Sequence, residues 1–117
     1  LDKRLADLDA MGVDMQVIKP PPPQCYYAVP LDIAVKAAQV INDGIAEFVA
    51  KKPDRLKGFG SVPMPDGNEA AKELERCVGK LGFKGVQVLT NVNGRELSDP
   101  AFAPFCCDMI TTAGEFL

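Results

Sequence analysis

Two tyrosines, Tyr26 and Tyr27, follow a run of four prolines from Pro20 to Pro23, and a polar stretch from Thr90 to Asp99 carries Asn91, Asn93, Arg95 and Ser98. Phenol rings on a stiff support suit the wall of a small-ligand site, and amide, guanidinium and hydroxyl groups can hydrogen-bond an anionic ligand. Both stretches also have plainer uses. The proline segment serves equally as a structural loop or a docking segment, and asparagines in such a context build Asx turns ahead of a helix cap at Ser98 or Asp99. The chain contains no histidine. That absence removes the commonest general base, every Ser/His or Cys/His nucleophile pair and the usual partner ligand for zinc. Four cysteines, Cys25, Cys77, Cys106 and Cys107, form no CxxC pair, and Cys77 falls on the apolar stripe of a helix, where a buried thiol is the ordinary outcome. Within the chain there is thus no candidate catalytic acid, base or metal ligand; Tyr26, Tyr27, Asn91, Asn93 and Arg95 are candidates for binding and orienting a substrate.

The elements that must position these residues centre on Arg55–Thr90. Leu56 to Val62 reads as a strand closed by Pro63 and the turn-prone Pro65-Asp66-Gly67. A helix follows, with Ala70, Ala71, Leu74, Cys77, Val78 and Leu81 at helical spacing and Lys72, Glu73, Glu75 and Arg76 on its other face. Asp66 and Glu69 stand as a capping pair, and Gly82 occupies the left-handed position after the last turn. Lys84 to Thr90 is a second, near-continuously apolar strand, which completes a βαβ unit with parallel strands and a right-handed crossover. Ligands of such units bind at loops beyond the C-terminal ends of the strands, which is where both candidate stretches fall.

On either side, Leu1 to Met11 has the apolar spacing of a helix closed by Gly12, and Val13 to Lys19 reads as a strand with Val13, Met15 and Val17 on one face. The prolines then predict a stiff, extended connection. Pro30 opens a long helix whose stripe is Ala34, Ala37, Ala38, Ile41, Ile45, Phe48 and Val49. A final helix begins near Pro100 with Phe102 and Phe105 inward, and the threonines and glycine after Cys106 argue against its continuing well. The resulting fold class is α/β, with three parallel strands near 13–19, 56–62 and 84–90 alternating with helices.

The 117 residues are 47% hydrophobic with a net charge of −3, enough for one domain with a core. Scattered basic residues argue against a nucleic-acid partner, and no apolar run approaches the roughly 20 residues that span a bilayer. A soluble, cytoplasmic protein that binds neither nucleic acid nor membrane is the expectation.

Several stretches resemble the amidohydrolase-related family of metal-dependent decarboxylases and hydrolases that includes aminocarboxymuconate-semialdehyde decarboxylase. They are Leu8–Val17, Ala37–Phe48 with Ile41-Asn42-Asp43, Pro53–Pro63, Glu73–Arg76 with Leu81–Val88, and Asn93–Phe102, in family order over residues 8 to 105. The resemblance implies a (β/α)8 TIM barrel of roughly 300 residues, of which this chain supplies strands two to four, less than half. It also implies a zinc-type divalent metal and a small carboxylic acid substrate for a full-length parent. The family's histidine ligands map onto no residue here, so the chain alone is expected to be inactive.

On this reading residues 1–105 are the barrel segment and residues 106–117 an atypical tail, of the kind a frameshift or vector-derived sequence would produce. Three parallel strands leave two unpaired edges and a bare face, which predicts self-association. The alternative is a non-catalytic, flavodoxin-like α/β module that binds a partner or small anion. It has no nucleotide fingerprint, because Gly58-Phe-Gly60 lies within a strand and lacks the glycine that would open a helix.

Overall fold

The computed structural model describes the backbone of residues 1–116 and the side-chain environments of residues 1–109. Helix α1 (Asp2–Ala10) leads into strand β1 (Gln16–Ile18), and after a 3-10 turn at Pro22–Cys25 the long helix α2 (Leu31–Ala50) returns to strand β2 (Leu56–Ser61). Helix α3 (Gly67–Glu75) continues as a wide π turn at Arg76–Lys80 into strand β3 (Gly85–Gln87). A two-stranded hairpin, β4 (Asn91–Val92) and β5 (Arg95–Glu96), and a 3-10 turn at Pro100–Phe102 then precede helix α4 (Ala103–Phe116). Strands β1, β2 and β3 form one parallel sheet with β2 in the centre.

The helix boundaries follow the expected chemistry. Asp66 accepts hydrogen bonds from the N–H groups of Asn68 and Glu69 at 2.9 and 3.0 Å, Gly82 adopts φ +70°, and Asp99 accepts from the Ala101 N–H at 2.8 Å. Phe102 and Phe105 are buried as the spacing predicts. Four expectations need correction. The proline run is not extended throughout but closes into the 3-10 turn, and Tyr26 follows at φ +53°. The stretch Thr90–Asp99 is not an open loop: Asn93 and Gly94 both have positive φ, the requirement of a two-residue type I′ turn, and they join β4 to β5. Helix α4 continues through the threonines to Phe116 because intrinsic propensity is a weak prior. The tail assignment for residues 110–117 falls outside the described side chains.

The fourth correction concerns Glu73, placed by its spacing on the solvent face of α3 but only 5% exposed. Its burial is explained by Asn42, fully buried on the inner stripe of α2. The last β1–β2 pair is Ile18 with Gly58, so Ser61 lies beyond the reach of β1, which ends at prolines that cannot donate. Asn42 takes the place of the missing strand. Its Oδ1 accepts from the Ser61 N–H and its Nδ2 donates to the Ser61 carbonyl, both at 2.8 Å. Nδ2 also donates to Glu73 Oε1 at 2.7 Å, and Glu73 is clamped by Arg76 through Nε at 3.0 Å and Nη2 at 2.7 Å. Arg76 reaches on to Asp43 Oδ1 at 2.6 Å. The hydrogen bond to Glu73 is the main cause that raises the Arg76 guanidinium above its ordinary value.

Around this network the helices press directly on β2. A Cβ built on Gly58 would meet the Phe83 ring at 2.5 Å, and one on Gly60 would meet Cys77 Sγ at 2.7 Å. Burial with Glu73 nearby pushes the Cys77 thiol up to about 12, so it stays protonated and inert at neutral pH.

Replacing Asn42 with alanine leaves the Ser61 backbone and Glu73 without a buried partner, which should cost about 2–3 kcal/mol. In a urea-unfolding double-mutant cycle, N42A and E73A should be clearly non-additive. Additive losses would mean that the two side chains do not act together.

Candidate functional site

The main hydrophobic cluster comprises Cys25, Tyr27, Val62, Met64, Ala70, Leu74, Val92, Phe102 and Phe105. Most of these residues lie beyond the C-terminal ends of the strands, so the loops there are held by a core of their own. Above them opens a cavity of about 370 Å³ lined by Pro22, Pro23, Cys25, Tyr26, Tyr27, Ala28, Val29, Leu89, Asn91 and Asn93. Four of the five residues singled out from the sequence therefore converge on one cavity. The fifth, Arg95, is not in the lining; it sits on the exposed hairpin with Nε 3.9 Å from Asp99 Oδ2. Ser98 is likewise outside the lining.

The two tyrosines have different roles. Tyr27 is 7% exposed, its hydroxyl accepts from the Leu89 N–H at 3.4 Å, and its carbonyl accepts from Asn93 Nδ2 at 2.5 Å. It thereby ties the proline loop to the segment after β3. Tyr26 is 39% exposed and lines the cavity from a left-handed backbone position, where a residue other than glycine carries about 1 kcal/mol of strain. Asn91 uses its Oδ1 to accept from the Gly94 N–H at 2.7 Å. The asparagines thus build the hairpin that borders the cavity and contribute polar atoms to its rim. Cys25 was missed as a wall residue, since nothing in its spacing marks it as buried. The hairpin did have a signal, the Asn93-Gly94 pair.

The lining combines apolar and aromatic surface with carboxamides and one thiol, which suits a flat, partly polar ligand. It contains no imidazole and no carboxylate, and no group of three or more metal-capable side chains occurs among the described residues. A divalent metal does not fit the donor set of this cavity.

The Amidohydrolase family model matches residues 1–113. A 2-amino-3-carboxymuconate-6-semialdehyde decarboxylase from Dictyostelium discoideum is 41% identical over 104 residues, covering 88% of this chain and 29% of that protein. A gamma-resorcylate decarboxylase from Polaromonas is 36% identical over 108 residues, covering 92% and 32%. Among solved structures, a 5-carboxyvanillate decarboxylase from Novosphingobium aromaticivorans, with bound manganese and a nitrobenzoic acid, superposes with a TM-score of 0.89. It is 33% identical and covers 95% of this chain and 32% of its own. The chain therefore spans about a third of the length of the relatives it matches. Its three parallel strands and alternating helices correspond to about a third of their TIM barrel, and a divalent metal belongs to the structural neighbours.

Burial pushes Tyr27 up to about 12 from its ordinary 10, more than the Leu89 hydrogen bond lowers it. The phenol resists ionisation in the folded state, so its stabilising contribution is complete below pH 10 and is lost as pH rises towards 12. By pH 11 the wild type should have lost about 1 kcal/mol more than a Tyr27→Phe variant, measured by urea unfolding at a series of pH values. Parallel curves for the two proteins would show that the phenol is not protected.

Proposed function

The chain belongs to the amidohydrolase family, and from that premise we propose that it is one segment of a longer barrel enzyme that decarboxylates a small aromatic or conjugated carboxylic acid. The observation that carries this reading is the aromatic-walled cavity at the C-terminal ends of the parallel strands, where barrel enzymes bind substrate. Tyr26 supplies an aromatic wall, Tyr27 and Asn93 hold that wall in place, and Asn91 adds a polar rim. When bound, a divalent metal would polarise the acid or activate water. In this proposal its ligands lie on barrel strands outside the 117 residues, and the ion is of the zinc type. The enzyme works in the cytoplasm and binds neither nucleic acid nor membrane; among the described residues no helix is long and apolar enough to cross one.

Residues 1–105 form the barrel segment of this proposal, and residues 106–117 are its atypical tail. The sheet also directs association. The outer edges of β1 and β3 pair with no other strand among the described residues, while Met15 and Val17 are 50% and 46% exposed. The 117-residue chain accordingly associates with itself through these edges.

Two measurements test the reading. A longer protein containing this segment should release carbon dioxide from 2,6-dihydroxybenzoate or an aminocarboxymuconate semialdehyde and hold a stoichiometric divalent metal. The 117-residue chain should do neither, and elemental analysis separates zinc from manganese. Turnover by the short chain, or none by the longer one on either class of acid, would overturn the assignment. Sedimentation equilibrium of the short chain at tens of micromolar should give a mass above 12.6 kDa; a clean monomer would refute the edge pairing.

A further inference from the structure

One polar cluster on the sheet is used neither by the core nor by the cavity walls. Lys19 leaves the C-terminal end of β1 and donates from Nζ to Gln87 Oε1 on β3 at 2.5 Å. No carboxylate among the described residues lies within 4.0 Å of that ammonium. A lysine paired only with a neutral amide keeps its charge uncompensated and two of its three N–H donors available. Beside it, Ser61 stands opposite Gln87 in the β2–β3 register, is 1% exposed, and has a buried Oγ with no hydrogen-bond partner. Buried hydroxyls without partners are uncommon in native proteins. Gly58 and Gly60 present their Cβ positions to Phe83, Ile45, Cys77 and Asn42 on the helix side. By strand alternation Ser61 faces the other way, on the side of the sheet that its register partner Gln87 shares. Gln87 joins this cluster to the cavity, because its Nε2 lies 4.0 Å from Sγ of Cys25, a wall residue.

We propose that Lys19, Gln87 and Ser61 form a carboxylate seat at the ends of β1, β2 and β3, adjoining the tyrosine-walled cavity. Its ligand is an aromatic or conjugated acid whose ring lies against Tyr26 while one carboxylate replaces Gln87 Oε1 as the acceptor for Lys19. Gln87 then turns its Nε2 to the same carboxylate, and the Ser61 hydroxyl gains the acceptor it lacks. The seat holds and orients the acid; it breaks no bond. This inference rests on the decarboxylase reading for its choice of ligand and adds the residues that would recognise one.

The test is done on the 117-residue protein by two-dimensional NMR, with benzoate as the probe and benzamide as its uncharged counterpart. Benzoate should move the Gln87 side-chain amide signals, and benzamide should bind roughly tenfold more weakly or worse. Lys19→Met should weaken benzoate binding by a similar factor, whereas Lys19→Arg should retain it. Lys19 is exposed, so both variants should keep the wild-type spectrum away from the site. Equal binding of the two probes, unchanged binding by K19M, or shifts that bypass Gln87 would overturn the seat. Its failure is separable from that of the proposed function. If the longer protein decarboxylates its acid and K19M leaves kcat/KM unchanged, the seat is wrong and the enzyme reading stands. If benzoate binds through Lys19 but the longer protein is inert, the seat stands and the enzyme reading falls.

Discussion

A single buried carboxamide sets the geometry of this chain. Strand β1 ends at Ile18 because four prolines follow almost at once, and β2 runs three residues further. The backbone groups of Ser61 would be left buried without partners, a cost comparable to lost hydrogen bonds. Asn42 supplies both partners and carries the constraint outward to Glu73, Arg76 and Asp43. One side chain thereby fixes the approach of α2 and α3 to the central strand. The glycines at 58 and 60 permit that approach, since no larger residue would fit beneath Phe83 and Cys77.

The cavity inherits its shape from that arrangement. With the strand ends held, the loops above them pack on Val62, Met64 and Phe102, all almost fully buried, and the proline turn is latched by Tyr27 to Leu89 and Asn93. The exposed ring of Tyr26 is therefore presented by a rigid frame, even though it sits on a turn. This is the division of labour common to barrel enzymes, in which a stable layer of strands carries variable loops. The relatives that share the fold are named for decarboxylation of small aromatic or conjugated acids.

Much of the architecture was legible in the residues themselves. Periodicity located the parallel strands and the helices between them, Asp66 marked the start of α3 and Gly82 the end of the π turn that continues it, and Pro100 with Phe102 and Phe105 marked the start of the last helical segment. Convergence of Tyr26, Tyr27, Asn91 and Asn93 followed from the rule that loops after parallel strands gather on one side. What escaped was whatever depended on a partner distant in sequence. Glu73 looks like a surface residue until Asn42 and Arg76 are placed beside it, and Asn42 itself interrupts an apolar stripe with no local sign of its role. Arg95 falls outside the cavity lining because the turn at Asn93-Gly94 carries it onto the exposed second strand of the hairpin. The proline run was misread because its composition alone does not distinguish an extended segment from a short 3-10 turn.

The π turn at Arg76–Lys80 is a vernier. It holds one residue more per turn than the helix it continues, through a Leu81 N–H to Arg76 carbonyl bond at 3.0 Å. That extra residue sets the phase at which Phe83 arrives over Gly58 and Gly60, and hence the register in which Gln87 stands beside Ser61. Loss or gain of a single residue within the turn would advance or retard the chain by about 100° about the helix axis, carrying the ring off the strand and β3 out of step. A change of length between α3 and β3 is therefore felt across the sheet, which one in a solvent-exposed loop would not be.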